Sequence, residues 1–276
     1  MKILINCSNL KKGGGLQVAN SFINELASDN YNEYYIIVPN YTSEINYFNN
    51  TTKYFYIYYH TLQPSLKLLM TGKEKYLDKL LKQVQPKIVF TLFGPSYWKP
   101  NILHVVGYAK AQYIYKTSPF FKKISTLKYI KLLIKRLYHL YDFKKRNNAI
   151  VTESEFVSTK LKQLFPQKKI FTVENTYNQI FDNEHKWDTS IILPRFEGIT
   201  LLTIASNYPH KNIDIIPPVI NYLKNNYPKF KFRFVLTIKE NEFPSKNKYK
   251  DYIIYLGKVQ INQCPTLYKQ SDFMFL

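Results

Sequence analysis

The clearest sign of chemistry in this 276-residue sequence is a lysine in the segment 200–212, TLLTIASNYPHKN. The apolar run 201–205 predicts a buried strand, and a helical pattern begins after Asn212. In open α/β sheets, ligands bind just outside the carboxyl ends of the strands, where helix N-termini attract anions. We therefore predict that Lys211, which lies at this strand-to-helix turn, contacts a phosphate group.

A second candidate is the glycine triplet Gly13, Gly14 and Gly15, which lies between the first predicted strand and the first predicted helix. Glycine lets a ligand approach the backbone closely and tolerates positive φ. The N–H groups at a helix start can bind a phosphate or a sugar hydroxyl. The spacing is not GxGxxG, which argues against a dinucleotide site. The alternative is a flexible loop without a ligand.

The third candidate is a basic segment, residues 120–146, with nine Lys or Arg residues against one acid. Its apolar residues recur at helical spacing, and Lys128, Lys131 and Lys135 are predicted on the opposite face. Such a helix can lie on an anionic bilayer through these lysines. An ordinary domain helix, with its apolar stripe in the core and its lysines in water, explains the pattern equally well. No sequence motif indicates a nucleic-acid partner.

These candidates are positioned by alternating strand-like and helix-like segments, which predict parallel sheets covered by helices. The pattern runs through residues 1–175 and restarts at 199–276, whereas 176–198 lacks periodicity and is predicted to be a linker. We therefore expect two Rossmann-like α/β domains. The predicted strands are 2–7, 33–39, 53–59, 87–93, 149–152, 169–173, 199–205, 230–238, 253–256 and the start of one at 272–276.

The amino-acid composition indicates the cellular compartment and the kind of partner. Two cysteines far apart form neither a disulfide framework nor a metal cluster, which indicates a reducing compartment. No apolar run approaches the length of a spanning helix, and the first residues lack a signal-peptide pattern, so we expect a cytoplasmic protein. The net charge of +20 favours anionic partners, although compositional bias toward lysine explains part of it.

Several segments together resemble the GT-B glycosyltransferases of the large retaining family 4. They are the opening strand with GGGLQVA, then VTESEFVSTKLKQLF with FTVENTYN, then TIASNYPHKN, and finally LGKVQINQCPTLYKQSDFMFL. The resemblance covers most of the chain. It implies two Rossmann-like domains that face each other across a cleft, the N-terminal one for the acceptor and the C-terminal one for a nucleotide sugar.

The resemblance also implies roles for individual residues. Gly13–Gly15 match the family's glycine-rich loop beside the donor phosphates, and Lys211 matches its lysine on the donor diphosphate. Asn207 stands near the position of a family arginine and could donate a hydrogen bond, without the charge or the bidentate geometry of arginine. His104 lies near a family histidine that faces the donor sugar, but a structural core histidine is as good an interpretation.

The sequence departs from the family at its end. Family members continue into a loop with two glutamates seven residues apart, whereas this sequence stops at Leu276. The resemblance therefore implies a C-terminally truncated chain with an incomplete donor domain. Whether such a chain is active stays open.

The predicted function is retaining transfer of a sugar from a nucleoside diphosphate sugar to a surface polysaccharide, such as lipopolysaccharide or capsule, or to a lipid-linked oligosaccharide. We expect neither a metal nor another cofactor, and a cytoplasmic location, peripheral on the inner face of the membrane. Two alternatives remain. One is a nucleotide-sugar epimerase, which shares the fold. The other is a non-catalytic, membrane-associated acceptor module that works with a separate donor-domain chain.

Overall fold

The computed structural model describes residues 1–10, 13–40, 54–115, 117, 118, 121, 122, 124–243 and 248–275. The chain divides into two compact units, Met1–Thr176 (unit 1) and Tyr177–Leu276 (unit 2). Each unit is built around a parallel β-sheet. Within the described ranges, no helix is both long and apolar enough to cross a membrane.

The sheet of unit 1 has seven described strands, all parallel. They are β1 (Lys2–Asn6), β2 (Glu33–Val38), β3 (Phe55–Tyr59), β4 (Ile88–Thr91), β5 (Leu103–Gly107), β6 (Ala149–Thr152) and β7 (Lys169–Thr172). Their order across the sheet is β3-β2-β1-β4-β5-β6-β7. The chain adds β2 and β3 on one side of β1 and then crosses to place β4 on the other side. The carboxyl end of β1 is therefore the point at which the strand order reverses, where open α/β sheets bind ligands.

Helices cover both faces of this sheet. They are α1 (Gly14–Leu26), α2 (Leu66–Thr71), α3 (Lys75–Val84), α4 (Thr126–Lys145) and α5 (Glu155–Leu164). Successive strand residues point to opposite faces. Accordingly, Ile5 packs in a cluster with Ile23 of α1, whereas the adjacent Leu4 packs in a second cluster with Leu77 of α3. The predicted α/β architecture with parallel sheets is confirmed.

Helix α3 illustrates how local sequence sets an element. The Glu74 side chain accepts a hydrogen bond from the Leu77 N–H at 2.7 Å and caps the first turn. Apolar residues at helical spacing, among them Leu77 and Val84, are buried against the sheet. The helix ends at Val84. Its C-cap residue, Gln85, has a left-handed φ of 51° and is followed by Pro86.

Several hydrogen bonds tie the second half of helix α4 to the rest of unit 1, among them Arg136 Nε to the Tyr113 carbonyl oxygen at 3.0 Å. Asp142 and Arg146 form a buried ion pair, with 3.4 Å between Oδ2 and Nη1. Arg146 also donates to the carbonyl oxygens of Tyr97 at 2.6 Å and Leu68 at 3.2 Å. Asp142 accepts from the Ser96 N–H at 3.2 Å. These bonds tie the end of α4 to α2 and to the loop after β4, while most of the first three turns stays exposed.

Unit 2 has four described strands, all parallel, in the order β10-β9-β8-β11. Its elements are β8 (Ile199–Thr203), α6 (Ile216–Asn226), β9 (Phe232–Leu236), β10 (Ile253–Tyr255), α7 (Cys264–Lys269) and β11 (Phe273–Met274). Residues 177–198 belong to this unit. They are held by bonds such as Leu193 N–H to Gln270 Oε1 at 2.7 Å and Arg233 Nη1 to the Pro194 carbonyl at 2.7 Å.

Candidate active site

The glycine triplet lies at the carboxyl end of β1 and begins α1. Gly13 is at the N-cap position with a φ of 77°, a backbone conformation that favours glycine. A Cβ built on Gly13 or Gly14 would meet no described heavy atom within 4 Å, so the backbone faces open space there. The N–H groups of Gly14 and Gly15 in the first turn of α1 are therefore suited to bind an anion or a hydroxyl.

A cleft of about 970 Å³ opens in unit 1 beside this loop. Its walls come from α1, α2 and α4 and from the segments that follow β1, β3, β4, β5, β6 and β7, so it lies at the carboxyl edge of the sheet. The lining residues include Asn9, Leu10, Gly14, Gly15, Phe93, Tyr97, Lys110, Glu153 and Asn175, with Lys131, Ile134, Lys135, Tyr138 and His139 from α4.

Three lysines line this cleft, two of which the sequence analysis assigned to membrane contact. Lys131 and Lys135 come from consecutive turns of α4, and Lys110 follows β5. Burial, followed by the positive charge of Lys135, lowers the pKa of Lys110. Glu153 is the acid among the described lining residues. This wall therefore favours an anionic ligand. Lys128 is exposed on α4 and lies outside the described lining.

A histidine and a tyrosine that the sequence analysis missed meet in the same cleft. The two ring nitrogens of His139 lie 2.9 Å from the Tyr97 hydroxyl and 2.8 Å from the Tyr113 hydroxyl. Burial and the charges of Lys135 and Lys110 lower the pKa of His139 to about 3, so it is neutral. Tyr97 has a φ of 58°, and non-glycine residues in this strained region cluster at functional sites.

His104 lies inside the sheet of unit 1, on β5, and is 1% exposed. Its Nδ1 lies 2.8 Å from the Arg146 carbonyl oxygen, which can only accept, so Nδ1 carries the proton. Nε2 must then accept from the Thr91 hydroxyl at 2.9 Å. Burial lowers the pKa of His104 to about 4. Both nitrogens are satisfied away from the cleft, which is the environment of a structural histidine.

Asn207 and Lys211 lie in unit 2, between β8 and α6. Lys211 ends a short 3₁₀ turn, Pro209–Lys211, and is exposed; its N–H donates to the Tyr208 carbonyl at 2.8 Å. Asn212 follows with a left-handed φ of 51°. The side-chain amide of Asn207 donates one hydrogen bond to the Glu242 carbonyl oxygen. An amide NH2 group has a second hydrogen that it can donate. In the described part of the chain, no three His, Cys, Asp or Glu residues are grouped to hold a metal ion.

Comparison with known proteins bears on the fold. No family model and no curated protein sequence matches the chain. A solved glycosyltransferase from Rickettsia africae ESF-5 matches 99% of this chain and 72% of its own, at 15% identity and a TM-score of 0.59. The fold is GT-B-like.

Two further structures of this fold carry the name UDP-GlcNAc 2-epimerase. The one from Methanocaldococcus jannaschii matches 99% of this chain and 78% of its own, at 14% identity and a TM-score of 0.55. The one from Neisseria meningitidis, bound to UDP-GlcNAc, matches 99% of this chain and 76% of its own, at 14% identity and a TM-score of 0.54. Identities this low establish the shared GT-B-like fold and leave membership of family 4 a prediction.

Proposed function

We propose that this protein is a retaining glycosyltransferase that uses a nucleoside diphosphate sugar as donor. The observation that carries the proposal is the cleft of unit 1, which joins the glycine triplet to a wall of lysines and apolar side chains. A transferase needs room for an acceptor as well as for a donor, and this cleft offers that room next to the start of α1, to which we assign the donor phosphates.

In the proposed reaction, the bond between the sugar C1 and the leaving diphosphate breaks, and an acceptor oxygen bonds to C1. The diphosphate leaves with the bonding electron pair of the C1–O bond and takes up the proton that the acceptor hydroxyl loses. The ammonium of Lys211, in unit 2, would stabilise the charge that grows on the diphosphate. Asn207 would add a neutral hydrogen bond. This proposed catalysis is electrostatic and assigns no role to a metal.

The second candidate is a nucleotide-sugar epimerase, because two structures of the same fold bear that name. An epimerase changes one substrate in place and needs no acceptor. The non-catalytic acceptor module is the third candidate, and it would bind an acceptor without a nucleotide.

One experiment separates these three functions. The purified chain is incubated with UDP-GlcNAc and other nucleoside diphosphate sugars, with and without an acceptor extract, and followed by proton NMR. A transferase consumes the donor and releases nucleoside diphosphate when the acceptor is present. An epimerase forms the C2 epimer of UDP-GlcNAc without an acceptor. Absence of nucleotide binding, measured by calorimetry, would contradict both enzyme proposals.

We also propose that α4 rests on an anionic membrane surface at the cytoplasmic side. Its large apolar side chains face solvent, with Leu127 73%, Ile134 64% and Leu137 67% exposed. Lys128, Lys131 and Lys135 are exposed on the same helix. Exposed apolar residues with flanking lysines on a strongly cationic protein fit the interface of an anionic bilayer.

A further inference from the structure

The cleft of unit 1 presents positive charge that has no ion-pair partner among the described residues. None of the ion pairs within the described residues includes Lys110, Lys131 or Lys135. Three like charges around one cleft repel one another, and an anionic ligand would remove that cost. A phosphate group, with several acceptor oxygens, suits lysine ammonium groups.

The same cleft has an apolar side that continues onto the protein surface. Leu62 and Leu69 line it, as does Ile134 of α4. Ile134 is 64% exposed, and its helical neighbours Ile130 and Leu137 are exposed as well. An apolar chain lying along Ile134 would therefore reach the exposed apolar side chains of Ile130 and Leu137 on α4.

We infer that this cleft takes an amphiphilic acceptor, one whose phosphate contacts Lys110, Lys131 and Lys135 and whose apolar chain runs over Ile134 along α4. The inference rests on the proposed function, because it takes unit 1 as the acceptor side, and it selects a lipid phosphate over a neutral polysaccharide. The acceptor's sugar-accepting hydroxyl would then point toward Gly14 and Gly15, which line the same cleft.

The test is calorimetric binding to the full chain without nucleotide, using farnesyl phosphate as the probe. Three control compounds each lack one part of the probe. Farnesol lacks the phosphate, and inorganic phosphate and glucose 1-phosphate lack the apolar chain. Farnesyl phosphate should bind at least about tenfold more tightly than any of the three, since both parts contribute. Equal binding of farnesol would overturn the lysine contact. Equal binding of glucose 1-phosphate would show a soluble sugar phosphate as ligand and overturn the amphiphile.

Variants tie the binding to the lysines. The double variant Lys131→Gln/Lys135→Gln should bind farnesyl phosphate on the order of tenfold or more weakly, because hydrogen bonds to charged groups are lost. Lys131→Arg/Lys135→Arg should keep most of the affinity. Lys144→Gln/Lys145→Gln removes the same charge from exposed positions outside the described lining of the cleft and should bind like the unchanged protein. Equal affinity in the first and third variants would refute the assignment.

Failure of this inference and failure of the proposed function give different results. Lysine-dependent binding of farnesyl phosphate without consumption of any nucleoside diphosphate sugar would support the cleft and contradict the transferase. Nucleotide binding and sugar transfer to a neutral saccharide, with no preference for farnesyl phosphate over farnesol, would support the transferase. The same result would contradict the amphiphilic acceptor in the cleft.

Discussion

At the residue scale, the two buried histidines of unit 1 differ in what they face. His104 is fixed between Thr91 and a backbone carbonyl inside the sheet, whereas His139 joins two tyrosines at the wall of the cleft. The sequence allowed either role for His104, because a histidine in an apolar run gives no sign of its partners. It could not reveal the site of His139, since Tyr97 and Tyr113 reach it from separate loops.

The burial of His104 makes stability depend on pH. Its native pKa of about 4 lies below the ordinary value of 6.5, so the unfolded chain binds more protons between these values. The free energy of unfolding should therefore be fully retained above pH 6.5 and fall as the pH drops toward 4. By linkage, His104 accounts for a loss of about 2 kcal/mol between pH 7 and pH 5.

Urea unfolding of the unchanged protein and of His104→Asn at both pH values checks this loss. The variant should lose about 2 kcal/mol less on acidification. His139 acts in the same direction as His104, and Asp142, whose pKa burial raises to about 7, acts in the opposite direction. His139 and Asp142 are present in both the unchanged protein and the variant, so their contributions cancel when the two losses of stability are compared. An imidazole of His104 that protonates near pH 6.5 by NMR would contradict the assignment independently of the variant.

Lys211 is the residue on which the donor proposal depends most directly. Lys211→Ala should weaken binding of nucleoside diphosphates by about 1.5–3 kcal/mol, the range for hydrogen bonds to charged groups. Calorimetry with several nucleoside diphosphates measures the change. Lys229→Ala removes an equally exposed lysine from the same unit and serves as the control. If both variants bind alike, Lys211 does not contact the diphosphate.

At the scale of elements, periodicity identified the long segments and missed the short ones. The predicted strand 149–152 agrees with β6, and the helical pattern in the basic segment 120–146 agrees with α4. The strand β5 and the six-residue helix α2 were missed. In β5, His104 interrupts a short apolar run that ends at Gly107, and α2 is less than two full turns long, so neither has a readable period.

Helix α4 shows what periodicity leaves open. An amphipathic pattern predicts a helix with two faces but does not say which face meets the protein. In the structure, residues of the second half such as His139 and Asp142 make the contacts with the rest of unit 1, and Leu127, Ile134 and Leu137 are exposed. The interpretation of α4 as an ordinary domain helix with its apolar stripe in the core is therefore wrong for Leu127, Ile134 and Leu137.

We expect α4 to control binding to anionic vesicles. Replacing Lys128, Lys131 and Lys135 by glutamine should release the protein from vesicles of anionic lipid, because each lysine contributes about 1 kcal/mol near such a surface. Leu127→Gln/Leu137→Gln should also weaken binding, through lost apolar burial. Vesicle sedimentation at low and high salt gives the readout.

A triple variant of α3, Lys75→Gln/Lys79→Gln/Lys82→Gln, is the matched control, since it removes the same charge from another exposed helix surface. If the triple variants of α4 and α3 lose vesicle binding equally, the binding depends on net charge alone and not on α4. A dimer that dissociates on Leu127→Gln/Leu137→Gln would identify a second copy, rather than lipid, as the occupant of this face.

At the scale of the whole molecule, the alternation of strands and helices predicted the α/β class, but not the cleft. Its lining comes from the segments after six strands and from α1, α2 and α4, and no local pattern in the sequence brings Gly14, Lys110 and Lys135 together. The strand order supplies that information. Because β4 lies beside β1 and β5 beside β4, segments far apart in the chain reach one edge of the sheet.

Unit 1 has the properties of an independent folding unit. Both faces of its sheet are covered by its own helices, and its apolar clusters are formed by its own residues. We therefore predict that a polypeptide of residues 1–176 folds alone and unfolds cooperatively in urea. Circular dichroism and tryptophan fluorescence should follow the same transition, because the one tryptophan of unit 1, Trp98, is fully buried.

A shorter polypeptide, residues 1–147, is the control for this prediction. It lacks β6, α5 and β7, and so removes Ile150, Leu161 and Phe165 from the cluster around Phe143. Each such buried side chain contributes about 1.5–3 kcal/mol, and losing all three approaches the whole stability of a typical domain, about 5–15 kcal/mol. The shorter chain should unfold without a cooperative transition. Gradual unfolding of residues 1–176 as well would mean that unit 1 depends on residues of unit 2 for its stability.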